Sequence, residues 1–201
     1  MDCCAIGGPH PLQACSVDTD LVEKPMNDRL PLPAPDPTPT RHLPDCPLPP
    51  YRYVPGLNPH PFRHIGGHMY TDGWAPEPPA WKPVAAAQQD ARFLFAADLF
   101  DHRFFWEAHE AWEAMWHEAP QADPRRDLLQ SLIQCAAAAL QHHMGHARAA
   151  VSLLGRAKER MAPWIQQHGP HIYGVDTAAI LSDTAALLEG GPWPKIRLVK
   201  S

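Results

Sequence analysis

The sequence predicts an all-α fold: a small helical bundle of about five helices preceded by a Pro-rich, mostly non-helical arm. Of the 25 prolines, 19 lie in residues 1–84, where they remove backbone donors and oppose helix formation. From residue 85 onwards, apolar residues recur at spacings of three and four, as in amphipathic helices. These patterns divide the chain into four predicted parts: a disordered Pro-rich tail (1–49), an extended aromatic arm (50–84), a helical domain (85–190) and a C-terminal tail (191–201).

The predicted arm differs from the tail in its aromatic residues, which are Tyr51, Tyr53, Phe62, Tyr70, Trp74 and Trp81. Because large aromatic side chains gain stability by burial, we expect the arm to lie on the helical domain. The arm also carries three histidines at spacings of four: His60, His64 and His68. Pro61 and the Gly66-Gly67 pair oppose a helix there, so we interpret these histidines as packing or solvated residues, with loop ligation as the alternative.

Capping residues and prolines predict where the first three helices begin and end. The first helix is expected over Ala86–Phe100. A second follows with Asp101 as its N-cap and ends near Glu118, before Ala119-Pro120. The Asp123-Pro124 pair predicts the start of a third helix that reaches Gly145, since Asp caps free amides and Pro fits a first helical position.

Two further helices complete the predicted bundle. The fourth follows a short break at Gly145, is interrupted at Pro163 and stops at Gly169-Pro170. The fifth is capped by Asp176 and runs to Leu188. Because the sequence has no convincing strand pattern, a helical bundle is favoured over a mixed fold.

Composition and charge exclude several classes of protein. The net charge is −5 and the basic residues form no more than a solvated helix surface, so we expect no nucleic-acid partner. No window approaches the ~20 apolar residues of a membrane span, and we expect no membrane association and a cytoplasmic location. Five cysteines do not form a disulfide framework, and the role of Cys3 and Cys4 stays open.

The strongest candidate for a functional site lies on the second helix. His109 and Glu113 are one helical turn apart, and Glu110 borders Glu113 on the helix surface. One imidazole and two carboxylates in this arrangement can bind a divalent metal, or hold a proton-transfer pair with His109 and Glu113 as the catalytic groups. The alternative is structural: Glu113 hydrogen-bonds His109 and satisfies it at the edge of the core.

The third helix offers further site residues. His143 falls within its apolar face, where it needs a polar partner, and the carboxylates of the second helix are candidates. We therefore predict His143 as a fourth metal ligand. Gln130 and Gln134 form a separate stripe flanked by alanines, which suits either interhelical packing or contact with a bound ligand. Trp106 and Trp116 are expected to shield the site.

Two known metal motifs fail on this helix. The zinc-protease pattern H-E-x-x-H requires a histidine where Glu113 stands. The E-x-x-H repeat of di-iron bundles requires a histidine three residues after a glutamate, and neither Glu110 nor Glu113 has one. Neither chemistry is predicted.

The string Trp106-Glu107-Ala108-His109-Glu110-x-x-Glu113-x-x-Trp116, followed by Leu129–Gln134 and an Ala-rich run to His143, resembles the bacterial domain-of-unknown-function 309 family over residues 88–162. The resemblance implies a small all-α domain and no established activity. It also implies that part of the family's polar and aromatic signature is present in His109, Glu110, Glu113, Trp116, Gln130 and Gln134. The sequence departs from the expected Gly-Asn turn at Gly145-His146.

Two functional hypotheses follow. The first is a divalent-metal or small-ligand site between the second and third helices, with the arm as its lid and hydrolysis as the suggested reaction. The second is a non-catalytic interaction or assembly module, in which the same polar residues are structural. The sequence identifies neither the small-molecule substrate nor the protein partner.

Overall fold

The computed structural model describes residues 40–71 and 84–199. After a short 3-10 turn at Ala87–Gln89, five helices follow: α1 (Ala91–Asp101), α2 (Phe105–Glu118), α3 (Arg125–His143), α4 (Ala147–His168) and α5 (Thr177–Leu188). A hairpin of two short strands, β1 (His171–Ile172) and β2 (Val175–Asp176), connects α4 to α5. The predicted all-α fold is confirmed. The tail as far as residue 39, including Cys3 and Cys4, and the arm residues Trp74 and Trp81 lie outside the described residues.

Aspartates accept hydrogen bonds at two predicted helix starts, although the N-cap residue of α3 is Pro124 and not Asp123. The Asp123 carboxylate accepts a hydrogen bond from the Arg125 backbone N–H at 2.9 Å, immediately before α3. Asp176 caps α5 by accepting from the backbone N–H of Ala179 at 2.9 Å. A short polar side chain supplies an acceptor to amides that lack intrahelical partners, which explains why these boundaries could be predicted.

The predicted boundary between the first two helices is wrong. α1 begins after Asp90, which caps it by accepting from the backbone N–H groups of Arg92 and Phe93. Asp101 is the last residue of α1 rather than the N-cap of α2. Its carboxylate instead accepts a hydrogen bond from the Ile196 backbone N–H at 2.7 Å. The side chain predicted to cap α2 therefore binds the C-terminal segment.

The predicted interruption of the fourth helix at Pro163 is also wrong. Pro163 lies inside a continuous helix that ends at Gly169, which has a φ of 83°. Proline removes one backbone hydrogen bond, to the carbonyl four residues earlier. Here Pro163 and Glu159 are both exposed, so water can reach the carbonyl that loses its partner.

The core is built around α3, which packs against α2, α4 and α5. The largest fully buried side chains of this core include Trp112, Phe93, Phe100, Leu132 and Met161. The short connection from Glu118 to Arg125 makes α2 and α3 an antiparallel pair, as expected of neighbouring helices in a bundle. No helix in the described ranges is both long and apolar enough to cross a membrane.

Segments on both sides of the helices pack onto them. The buried Asp98 carboxylate of α1 accepts from the backbone N–H groups of His42 (2.7 Å) and Leu43 (2.9 Å), so this contact begins before residue 50, where the arm is predicted to start. In the predicted C-terminal tail, the Trp193 ring stacks on Phe105 at 5.4 Å between centroids. The domain boundaries named above remain predictions.

Candidate metal site on α2

Three metal-ligating side chains come together on one flank of α2: His109, Glu110 and Glu113. Each offers one ligand atom, and these atoms all lie within 4.8 Å of one another. The helix itself produces the group, because residues three and four positions apart are neighbours on its surface, and Glu113 stands in these relations to Glu110 and His109. All three side chains are partly buried, so they are shielded from bulk water and still reachable by a small ligand.

His109 makes the closest contact within this group. Its Nδ1 atom lies 3.3 Å from Oε1 of Glu110, and the two side chains are 27% and 26% exposed. Nδ1 is itself buried and makes no hydrogen bond within the described part of the chain. A buried imidazole nitrogen beside two carboxylates has the chemistry of a metal ligand, since imidazole and carboxylate both bind Zn²⁺.

The register of the antiparallel pair brings two glutamines of α3 to the level of this group. His109 lies nine residues before the end of α2, and Gln134 lies nine residues after the start of α3. Glu113 and Gln130 each lie five residues from the same connection. The Gln134 Oε1 atom is buried and has no hydrogen-bond partner among the described residues, so it is available to a ligand.

The structure does not bring His143 into the group. α3 has 19 residues and α2 has 14, so the last residues of α3 extend past the first turn of α2. There the His143 ring lies 6.4 Å from the Trp193 ring. His143 is therefore not part of the group formed by His109, Glu110 and Glu113.

A comparison with known families identifies this part of the chain. Residues 93–153 match the family model "Domain of unknown function (DUF309)". The matched segment contains most of α1, all of α2 and α3, and the start of α4. The resemblance predicted from the sequence is thus confirmed over a slightly shorter range. No curated protein and no solved structure matches the chain.

Trp106 lies where the arm covers the DUF309-like segment. Its ring is surrounded by the arm residues Tyr53, His60 and Phe62, at centroid distances of 5.1, 5.6 and 5.5 Å. Burial lowers the pKa of His60, with Arg63 adding to the effect and Glu110 opposing it. The arm therefore borders the candidate group on its Glu110 side.

Trp116 is fixed by α3 instead. The Arg126 guanidinium lies over its ring, 4.1 Å from the centroid, and also donates to the carbonyl oxygens of Trp116 and Ala119. A cation over an indole face contributes roughly 0.5–2 kcal/mol. Both tryptophans thus lie on α2, one before and one after the candidate group in sequence, and each is held by a different part of the molecule.

Sequence reasoning missed a buried pair near this group, formed by Glu107 of α2 and His68 of the arm. Glu107 is 4% exposed, and its Oε1 atom accepts from the Tyr53 backbone N–H at 2.9 Å. Burial raises the pKa of Glu107 to about 7, against the lowering effects of its backbone hydrogen bonds and of Arg52. The His68 Nε2 atom lies 3.7 Å from the same oxygen, and burial lowers the pKa of His68. The sequence did carry one signal of this pair: Glu107 lies one helical turn before Glu110 and closer to the core face of α2.

Proposed function

We propose that the DUF309-like segment binds a divalent transition metal through His109, Glu110 and Glu113. The observation that carries the proposal is the convergence of the three ligand atoms within 4.8 Å. Ligands of one Zn²⁺ ion lie at about 2.0–2.2 Å from it, so small side-chain rotations bring the three onto a common centre. Mixed nitrogen and oxygen ligands favour Zn²⁺ or a similar transition metal over Mg²⁺ or Ca²⁺.

A hydrolytic reaction is the use of this site that we propose. Three protein ligands leave one position of a tetrahedral ion for water, and a metal-bound water loses its proton near neutral pH. The water would be activated by the metal, or by Glu113 as the base where His109 and Glu110 alone hold the ion. Gln134, which by residue count lies level with His109, would then hydrogen-bond a bound substrate, and Gln130, level with Glu113, would take the same role.

Elemental metal analysis of the full chain, purified without chelator and then reconstituted with Zn²⁺, tests the proposal. We expect close to one equivalent bound at this group in the wild type, lost in His109→Ala and in Glu113→Gln. His168→Ala and Glu159→Gln are matched controls, because both residues are exposed on α4, and these variants should retain the metal. The proposal would be contradicted if His109→Ala and Glu113→Gln fold and bind as much metal as the wild type.

The second candidate is a non-catalytic interaction or assembly module. It is favoured by the 3.3 Å approach of His109 Nδ1 to Glu110 Oε1, because a small side-chain rotation would let these two groups hydrogen-bond each other without a ligand. In that case His109→Ala lowers the melting temperature, and binding of any protein partner falls only in proportion to unfolding. A functional site behaves differently, because removing its charged residues often leaves stability unchanged or improved.

A further inference from the structure

A second pair of metal-ligating side chains lies between the arm and α2. His68 comes from the arm and Glu107 from the helix, and His68 Nε2 is 3.7 Å from Glu107 Oε1. Their side chains are only 6% and 3% exposed. Two ionisable groups from distant parts of the chain are thus enclosed at one point.

Three polar atoms of this pair lack a hydrogen-bond partner within residues 40–71 and 84–199: His68 Nδ1, His68 Nε2 and Glu107 Oε2. Leaving one buried polar atom unpaired costs about 1–3 kcal/mol, and folded proteins pair nearly all of them. The other oxygen of Glu107 is paired with the Tyr53 N–H. Three unpaired atoms on two facing side chains therefore point to a ligand that binds between them.

We propose that His68 and Glu107 bind a divalent transition metal at a site separate from His109, Glu110 and Glu113. Two ligand atoms of a tetrahedral Zn²⁺ ion, each about 2.0–2.2 Å from it, lie roughly 3.3–3.6 Å apart. The observed 3.7 Å joins His68 Nε2 to Glu107 Oε1, which accepts one hydrogen bond from Tyr53 and keeps a second lone pair for a metal, so only a small adjustment is needed. A cation also compensates the carboxylate for its burial, which a neutral ligand does not.

Both ligands are held in place by their surroundings. The Tyr51 ring packs edge-on against the His68 ring at 4.5 Å, and the His68 backbone N–H donates to the Tyr51 hydroxyl at 3.3 Å. The Tyr53 N–H fixes the Glu107 carboxylate in the same way. A hydrogen bond to a ligating carboxylate, such as that from Tyr53 to Glu107, orients the ligand and raises metal affinity. A metal bound here ties the arm to α2.

The test is a calorimetric titration of the full chain with Zn²⁺, repeated with Co²⁺ while its absorption bands report nitrogen and oxygen ligation. We expect His68→Ala and Glu107→Gln each to lose one equivalent relative to the wild type, or to bind it at least tenfold more weakly. Glu107→Gln keeps the acceptor for Tyr53 and serves as the variant least prone to misfold. His64→Ala, an exposed histidine of the same loop, should bind like the wild type.

The two metal sites fail independently in this design. If the α2 group binds no metal and the arm site does, the wild type takes up one equivalent that His109→Ala keeps and His68→Ala loses. If the stoichiometry and affinity of folded His68→Ala and Glu107→Gln equal those of the wild type, the arm site is refuted, whatever His109→Ala shows. In that outcome the pair is a structural contact of the arm.

Discussion

Carboxylates at least half-buried in α1 tie segments on both sides of the bundle to its helices, and Asp101 shows the energetic cost of removing such a charge from water. Its carboxylate accepts from the Ile196 backbone N–H, and burial raises its pKa to about 7, with Asp98 adding to the effect and Lys195 opposing it. A raised pKa means that the folded state prefers the protonated acid. Asp101 therefore contributes stability below the pKa of the unfolded state, near 3.8, and loses it as the pH rises through about 7.

Asp101→Asn isolates this effect, because asparagine keeps the acceptor for Ile196 and carries no charge. We expect the variant to match the wild type near pH 4 and to exceed it by roughly 1–2 kcal/mol at pH 8. Urea unfolding across this range measures the difference. Asp183→Asn, which removes only a surface ion pair with Arg197, is the control and should show a small and nearly constant difference. A pH-independent difference for Asp101→Asn would contradict the assignment.

Among the elements, the arm loop that presents His68 depends on a close backbone approach. A Cβ atom on Gly67 would lie 2.2 Å from the Pro61 carbonyl oxygen and 2.4 Å from that of His60. Because these are backbone atoms, Gly67→Ala must distort the loop and should lower the free energy of unfolding by about 1–3 kcal/mol. Gly66→Ala is the control, since its Cβ would meet only the His64 ring, at 3.3 Å. Equal stability of the two variants, measured by urea unfolding, would argue against this close approach.

The elements also show which features the sequence could predict. Helices α3 and α5 were predictable because Asp123 and Asp176 cap amides only two or three residues away. The candidate group on α2 was predictable for the same reason, since helical periodicity alone brings His109 next to Glu113. Local patterns determine such contacts, and no knowledge of the tertiary fold is required.

Contacts between distant residues were not predictable. Asp101 has the residue type of an N-cap, and only the position of Ile196 shows that its carboxylate is used elsewhere. His68 and Glu107 lie in different elements, so neither periodicity nor spacing relates them. The sequence places His143 on the apolar face of its helix. Its position beyond the start of α2, however, depends on the unequal lengths of α2 and α3.

At the scale of the whole molecule, the arm and the residues immediately before it are joined to the bundle by buried polar contacts as well as by apolar packing. Asp98 of α1 is the clearest case, because it is 1% exposed and accepts from two backbone N–H groups of the segment before the arm. The Arg41 guanidinium lies 3.5 Å from the same carboxylate. Removing the Asp98 carboxylate would leave the backbone N–H groups of His42 and Leu43 without this acceptor and Arg41 without this counter-charge.

Asp98→Ala should therefore weaken the docking of this segment on the helices by about 3–5 kcal/mol, the range for breaking a buried charged network. Asp98→Asn retains an acceptor and should lose less. If the arm and the bundle unfold as one cooperative unit, urea transitions followed by far-UV and near-UV circular dichroism will coincide in the wild type. In Asp98→Ala the near-UV signal of the docked aromatic residues should change first, because the arm then separates while the helices remain. Coincident transitions in both proteins with little loss of stability would show that Asp98 does not hold the arm in place.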